Sequence, residues 1–424
     1  MTLILFITFF VLILLKIPIA FSLFIASLAA MIYGGFPLTA VIQRAISAAD
    51  SFVLLAIPFF ILAGNLMSGG GISKMIIRFA NSTVGFIRGG LAHANITTSM
   101  LFSGISGAAV ADTSAVGSVI IPAMKEEKYP SGFAAAVTAS SSVIGVIIPP
   151  SIPFVIYGVV TGASVGQLFL AGIIPGILIG LFQMGIAYYF SKKYGYGNMQ
   201  KFSVANFFMN FKQSVFALLM PIIIIGGILL GIVTPTEAAV IAIAYALIIG
   251  FFVYKQLNIR MLPGIFYESA VTTAIVMFMI TGAYLYGWII TNQRIPQMLA
   301  DSLSTVTTSP AIILLLCVLI YIIAGMFIDL GAAIILFVPV LFPVSTAFGI
   351  DPVHFGIVTV IALAVGLITP PVGACLFLST EIAEASLWEG AKATLPFIIG
   401  ILFVLMLVIF IPELSLYIPR EIMP

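Results

Sequence analysis

Charged side chains are scarce in this sequence. Asp, Glu, Lys and Arg make up 7% of the 424 residues, against about 25% in an ordinary soluble domain. Hydrophobic residues make up 62% and the mean hydropathy is +1.28, so the chain cannot clothe itself in a water-facing surface. Cysteine is nearly absent. Cys317 and Cys375 each lie inside an apolar run, which argues against a disulfide framework or a thiolate metal site and leaves them as small hydrophobes. No HExxH, paired-aspartate or Gly-x-Ser-x-Gly pattern stands out, so the sequence reads as that of a non-enzyme. No basic patch for nucleic acid is visible.

What is present in quantity is apolar sequence in lengths that fit a bilayer. Runs of roughly 17–25 residues, enough to cross a hydrocarbon core, recur from end to end between short polar stretches. The first, Thr2 to Leu15, has no charged leader or small-residue cleavage site and is expected to be a mature spanning helix rather than a signal peptide. The pattern predicts an all-α polytopic membrane protein. Spanning helices are expected over about Thr2–Leu15, Ile17–Tyr33, Ser51–Met67, Ser131–Thr161 and Gln167–Phe190. A second set is expected over about Ser214–Val233, Thr236–Tyr254, Tyr267–Ile290, Val353–Thr380 and Thr394–Ile411.

The two sets are related. GVIIPPS at Gly145–Ser151 matches GLITPPV at Gly366–Val372, an offset of 221 residues (145 to 366). Pro18 with Pro235, Gly64 with Gly282, Gly104 with Gly325 and Pro122 with Pro339 keep nearly the same offset. The chain is therefore expected to be two copies of one plan. The first covers 1–194 with a re-entrant hairpin over 91–124, a cytoplasmic linker follows over 195–212, and the second copy covers 213–424 with a hairpin over 311–343. An odd number of crossings per copy makes the second run inverted to the first. Charge placement agrees: with both termini outside, only Arg44, Arg294 and Arg420 of the 16 Lys and Arg residues face outward, as the positive-inside rule requires. Lys201 and the rest of the Lys192–Lys212 stretch then read as a solvated inner loop. Ile72–Arg88 reads as a helix on the inner interface, and Tyr286 and Trp288 fall in an outer aromatic belt.

The chemistry is expected at the hairpins and at the helix breaks. Ser103–Ser118 reads SGISGAAVADTSAVGS, a run of small and hydroxyl residues that would make a poor lipid-facing surface but allows close backbone approach. Each Pro-Pro pair interrupts a helix, because proline has no amide donor and drives its predecessor out of the α region. A break frees carbonyls upstream, which favour cations, and amides downstream, which favour anions. Two breaks facing two hairpin tips predict two cation sites beside one anion site.

Six stretches carry a family resemblance. AIPFFILAGNLM at Ala56–Met67, ADTSAVGSVIIPAM at Ala111–Met124, GVIIPPSIPFVIYG at Gly145–Gly158, TPTEAA at Thr234–Ala239, GMFID at Gly325–Asp329 and GLITPPVG at Gly366–Gly373 resemble the large membrane subunit of tripartite ATP-independent periplasmic (TRAP) transporters, in order and over nearly the full chain. The resemblance implies an elevator-type carrier in the bacterial inner membrane, where the outside that the charges assign to both termini is the periplasm. It implies sodium-coupled uptake of an organic acid, sialic acids and C4-dicarboxylates included. It also implies two partners, a small membrane (Q-type) subunit and a periplasmic substrate-binding protein, with no organic cofactor. Carried over by motif, a first sodium site would use Ser103, Ser106 and backbone oxygens near Gly145, Ile148 and Pro150. A second would use Gly325, Gly366, Thr369 and the carbonyl of Val372. Sodium also suits the residue inventory, since hydroxyls and carbonyls abound while intramembrane titrating groups are few.

Asp112 and Asp329 carry two readings, because a charge at membrane depth costs at least about 2.5–3.5 kcal/mol. Each either accepts backbone hydrogen bonds at a helix start or lends negative charge to a cation site; Thr113 and Ser114 beside Asp112 favour the first. Glu237, behind Pro235, reads as a helix-start residue, and His93 and His354 as interfacial. The rival reading is a stand-alone sodium-coupled dicarboxylate or anion carrier of a related inverted-repeat family. A channel would instead carry current far above carrier turnover.

Overall fold

The computed structural model describes residues 1–50, 52–197 and 202–423. The expectations that fall on Ser51, Lys201, Pro424 and the middle of the linker lie outside them. The described residues form helices α1 (Thr2–Leu14), α2 (Ile19–Tyr33), α3 (Leu38–Ala49), α4 (Ala56–Gly69) and α5 (Ile72–Val84). A hairpin of α6 (Gly90–Ser106) and α7 (Ala109–Glu126) follows, then an interrupted pair, α8 (Ser131–Ser142) and α9 (Ile152–Thr161), and the long α10 (Val165–Tyr194). The second half opens with α11 (Val204–Leu229), α12 (Pro235–Ile248), α13 (Leu262–Asn292) and α14 (Ile295–Ser304). It continues with a hairpin of α15 (Pro310–Phe327) and α16 (Leu330–Ala347), an interrupted pair, α17 (Pro352–Gly366) and α18 (Ala374–Ala383), then α19 (Leu387–Phe410) and α20 (Glu413–Ile422). Among the described residues, 8 helical stretches are long and apolar enough to cross a membrane, and the molecule is a multi-pass membrane protein.

Both halves follow the same order of elements from α5 and α14 onward. The starts of α6 and α15 (90 and 310), α7 and α16 (109 and 330), and α8 and α17 (131 and 352) are 220 or 221 residues apart. Each hairpin packs beside the first helix of its own interrupted pair, α7 against α8 and α15 and α16 against α17, while the second helices cross over, α18 against α7 and α9 against α16. Their interiors are apolar: Val116, Ile120 and Ile121 of α7 and Ile334, Ile335 and Val338 of α16 are buried.

Three short helices lie in stretches that the expected spans and hairpins leave out. These are α3, α14 and α20, each with apolar residues on one side and too short for a crossing. A helix is present in the stretch Ile72–Arg88, as α5 over Ile72–Val84. The helix expected from Ser214 instead starts at Val204, because the Ser203 hydroxyl accepts the Asn206 amide at 3.3 Å and caps it. Thr234 and Glu237 form a reciprocal capping box at the start of α12, the helix-start role assigned to Glu237.

Candidate ion and substrate site

The first hairpin turns at Gly107, whose φ of 62° is left-handed and therefore favours glycine. A side chain there would also meet the Pro150 carbonyl at 2.9 Å. The Ile152 amide donates to the Gly107 carbonyl at 3.3 Å, so the hairpin tip is tied directly to the first break. Ser103 and Ser106, one turn apart on α6, are both buried. The Ser103 hydroxyl donates to the Met100 carbonyl at 2.7 Å. The Ser106 hydroxyl donates to Asp112 Oδ1 and accepts the Ala108 amide at 3.2 Å. The break is seated on glycines of α10, with the Ile147 carbonyl against Gly172 and the Ile148 side chain against Gly176. Among the described residues no backbone amide donates to the carbonyls of Ile148 or Pro150.

Asp112 departs from the favoured expectation. It is the fourth residue of α7, past the positions from which a side chain caps the helix, and it accepts from Ser106 rather than from a backbone amide. It is fully buried, and its Oδ2 has no partner among the described residues. That oxygen faces the Cα of Gly145, where any Cβ would collide with it. A buried carboxylate oxygen without a donor is unfavourable, and a bound cation relieves it. Gly145 supplies the room, and hydroxyl and carbonyl oxygens supply ligands suited to a hard cation.

The second set of residues also comes together. Helices α15 and α17 touch backbone to backbone: a Cβ on Gly325 would fall 2.5 Å from the Leu363 carbonyl and 3.2 Å from the Gly366 Cα. Beyond Gly366 the chain leaves the helix, the Thr369 hydroxyl donates to the Val365 carbonyl at 2.7 Å, and the Val372 amide donates to the Met326 carbonyl at 3.3 Å. Pro149–Pro150 and Pro370–Pro371 are both cis. The two sets differ chemically. At the offset of 221, Ser103, Ser106 and Asp112 correspond to Ala324, Phe327 and Ala333, so the second set offers carbonyls and Thr369 without a buried carboxylate. Asp329 keeps the helix-start role, its Oδ2 accepting the Gly331 amide at 3.0 Å as the cap of α16.

Between the two hairpin tips lies a cavity of about 340 Å³. Ser106 and Ala108 border it from one hairpin and Asp329 and Gly331 from the other, with Asn65 of α4 and Thr272 of α13 opposite. The starts of α7, α9 and α16 face it through Ala109, Ile152 and Leu330, and no Lys or Arg among the described residues lines it. Helix starts present unpaired amides and positive potential, so the cavity can hold an anionic group without a basic side chain. His93 and His354 lie elsewhere and, contrary to expectation, are buried rather than interfacial. In the case of His354 the reason is α20, an element not foreseen: Ser415 lies over it, Oγ to Nδ1 2.7 Å.

A family model described as the tripartite ATP-independent periplasmic transporter, DctM component, matches residues 6–414. The sialic acid TRAP transporter large permease protein SiaM of Vibrio cholerae is 41% identical over 404 residues, 95% of each chain. The isethionate TRAP transporter permease protein DctMQ of Oleidesulfovibrio alaskensis is 40% identical over 95% of this chain and 64% of that longer protein. In fold alone the chain resembles the YdaH transporter of Alcanivorax borkumensis, with a TM-score of 0.63 at 14% identity, covering 88% of this chain and 87% of that one. The chain belongs to the DctM family, the large permease component of tripartite ATP-independent periplasmic transporters.

Proposed function

We propose that this chain is the moving subunit of a sodium-coupled carrier for a small organic acid. The observation that carries the reading is the central cavity, where both hairpin tips and three helix starts meet with no cationic side chain among the lining residues. An acid group placed there lies close to Asp112 and Asp329. Its binding is therefore favourable when cations occupy the sites beside it, which links substrate affinity to sodium and sodium affinity to substrate in equal measure. Two relatives are named for sialic acid and isethionate; the first carries a carboxylate and the second a sulfonate, and each is an anionic group of the kind helix starts accept.

The halves 1–194 and 213–424 act as inverted copies, and α6–α9 with α15–α18 move as a unit against α1–α4 and α11–α13. Sidedness is supported by contacts. Arg44 lies over Trp288 and Thr2 lies 3.5 Å from Gln293, joining segments assigned to the outside; Lys125 pairs with Glu384 at 2.7 Å, joining two assigned to the inside. Both termini are then periplasmic in the inner membrane, where a small membrane subunit widens the stationary part and a periplasmic binding protein delivers the acid. Reconstitution tests this arrangement: uptake should require the binding protein. Equal uptake of free substrate without it would replace this reading with that of a stand-alone carrier.

A further inference from the structure

A second cavity, also about 340 Å³, lies between α3, α9, α13 and α16. It follows the central cavity along three shared helices. Ile156, Met279 and Gly331 line the central one, and Val160, Ala283 and Ile335, each one helical turn further on, line the second. The separation along each helix is therefore about 6 Å. On the orientation proposed above, the second cavity is the outer one.

Among the described residues Arg44 is the only charged one that lines it. Its guanidinium carbon lies 4.3 Å from the centroid of the Trp288 ring, and Phe36 packs edge-on against that ring at 5.3 Å and 85°. Stacking on an aromatic face fixes the guanidinium plane and leaves its N–H edges available for a planar acid group. The two ion pairs among the described residues are Lys125–Glu384 and Arg420–Glu413, so no carboxylate among them pairs with Arg44. Most of the remaining lining is apolar, and the Thr291 hydroxyl donates to its own helix at Gly287.

We infer that the outer cavity is a staging site for the acid group of the substrate, received by Arg44 before it passes inward to the helix starts of the central cavity. The inference rests on the carrier reading above. A half-buried guanidinium holds a carboxylate or sulfonate in exchangeable fashion, and the central cavity offers no basic side chain to compete for the same step. The ligand class is a small organic anion, not a lipid headgroup.

The chain has two tryptophans, and Trp388 is 78% exposed on α19, far from this cavity in sequence. Trp388→Phe leaves Trp288 as the sole tryptophan reporter. The full-length variant, in phosphatidylcholine nanodiscs at constant ionic strength, is titrated with N-acetylneuraminate, succinate and isethionate. At least one acid should change Trp288 emission saturably. Arg44→Gln should raise the half-saturating concentration about tenfold or more, and Arg44→Lys, which keeps the charge but not the fork, should recover only part of the loss. An unchanged thermal unfolding midpoint separates lost binding from lost fold. Emission indifferent to all three acids, or a Gln variant that responds like its parent, overturns the inference. So does a response to added phosphatidylglycerol alone, which would assign the cavity to a lipid headgroup. Sodium-driven uptake measured in parallel keeps the two claims apart. Uptake with a silent Trp288 overturns the staging site alone, whereas an Arg44-dependent response in a protein whose uptake ignores sodium keeps the site and overturns the coupling.

Discussion

Gly145 stands where Asp112 Oδ2 leaves no space for a Cβ, and Ser103 and Ser106 stand one turn apart on the helix that meets the same break. Replacing both serines with Ala removes two hydroxyl ligands without adding volume. The sodium concentration for half-maximal uptake should rise about tenfold or more while membrane levels hold, since lost ligand oxygens weaken a hard cation directly. An unchanged sodium dependence in vesicles would remove the hydroxyls from the site. Gly366 poses a packing question. A Cβ there would run into the Gly325 backbone, so Gly366→Ala should lower stability by about 1–3 kcal/mol, the usual cost of overpacking, read as a lower unfolding midpoint in detergent. The hydrogen bond from Lys125 and its charge hold the Glu384 carboxyl below the usual carboxylate range. That contribution is present above the ordinary glutamate pKa and is lost as pH falls through the depressed one. Both partners are substantially exposed, so Glu384→Gln should shift the unfolding midpoint only slightly near neutral pH and not at all in acid.

The breaks after Val146 and Gly366 are the elements to which the proposed mechanism assigns transport. A continuous helix would satisfy its own amides and carbonyls, whereas each break leaves some of them for ligands. Converting Pro370–Pro371 to Ala-Ala should let α17 and α18 join, leaving a protein that inserts normally and no longer accumulates substrate on a sodium gradient. Full accumulation by a well-inserted variant would reduce that break to helix bending. These elements were legible because their signals are local: Pro-Pro pairs, a run of small residues in Ser103–Ser118, and a self-match at an offset of 221. Helices α3, α14 and α20 were not, since 10 to 12 residues give too few turns for an apolar face to stand out against a chain that is apolar throughout. With α3 went the position of Arg44, and with α20 the burial of His354. The role of Asp112 was hidden for another reason. Its neighbours Thr113 and Ser114 resemble a capping pattern, and only the packing of α7 on the first break shows its free oxygen facing Gly145. Comparison with Ala333, its counterpart at the same offset, was the available hint.

At the scale of the whole molecule, paired hairpins and paired breaks enclose one anion-suited cavity, and the cation-suited residues lie on either side of it. Moving one sodium ion inward down a membrane potential supplies about 2.3 kcal/mol per 100 mV, so each coupled ion multiplies the accumulation that substrate binding alone cannot produce. Family membership and the family-wide order of motifs were readable before any coordinates, because six motifs span the chain; the substrate was not, because the helix starts proposed to receive it offer backbone amides, which any side chain can share. The central claim is sodium coupling. Proteoliposomes holding this chain with its small subunit, supplied with the binding protein and labelled N-acetylneuraminate, succinate or isethionate, should be given an inward sodium gradient and a negative interior. The account predicts accumulation of at least one acid that collapses when sodium is made equal on both sides and the potential is dissipated. Undiminished accumulation with choline in place of sodium would contradict it.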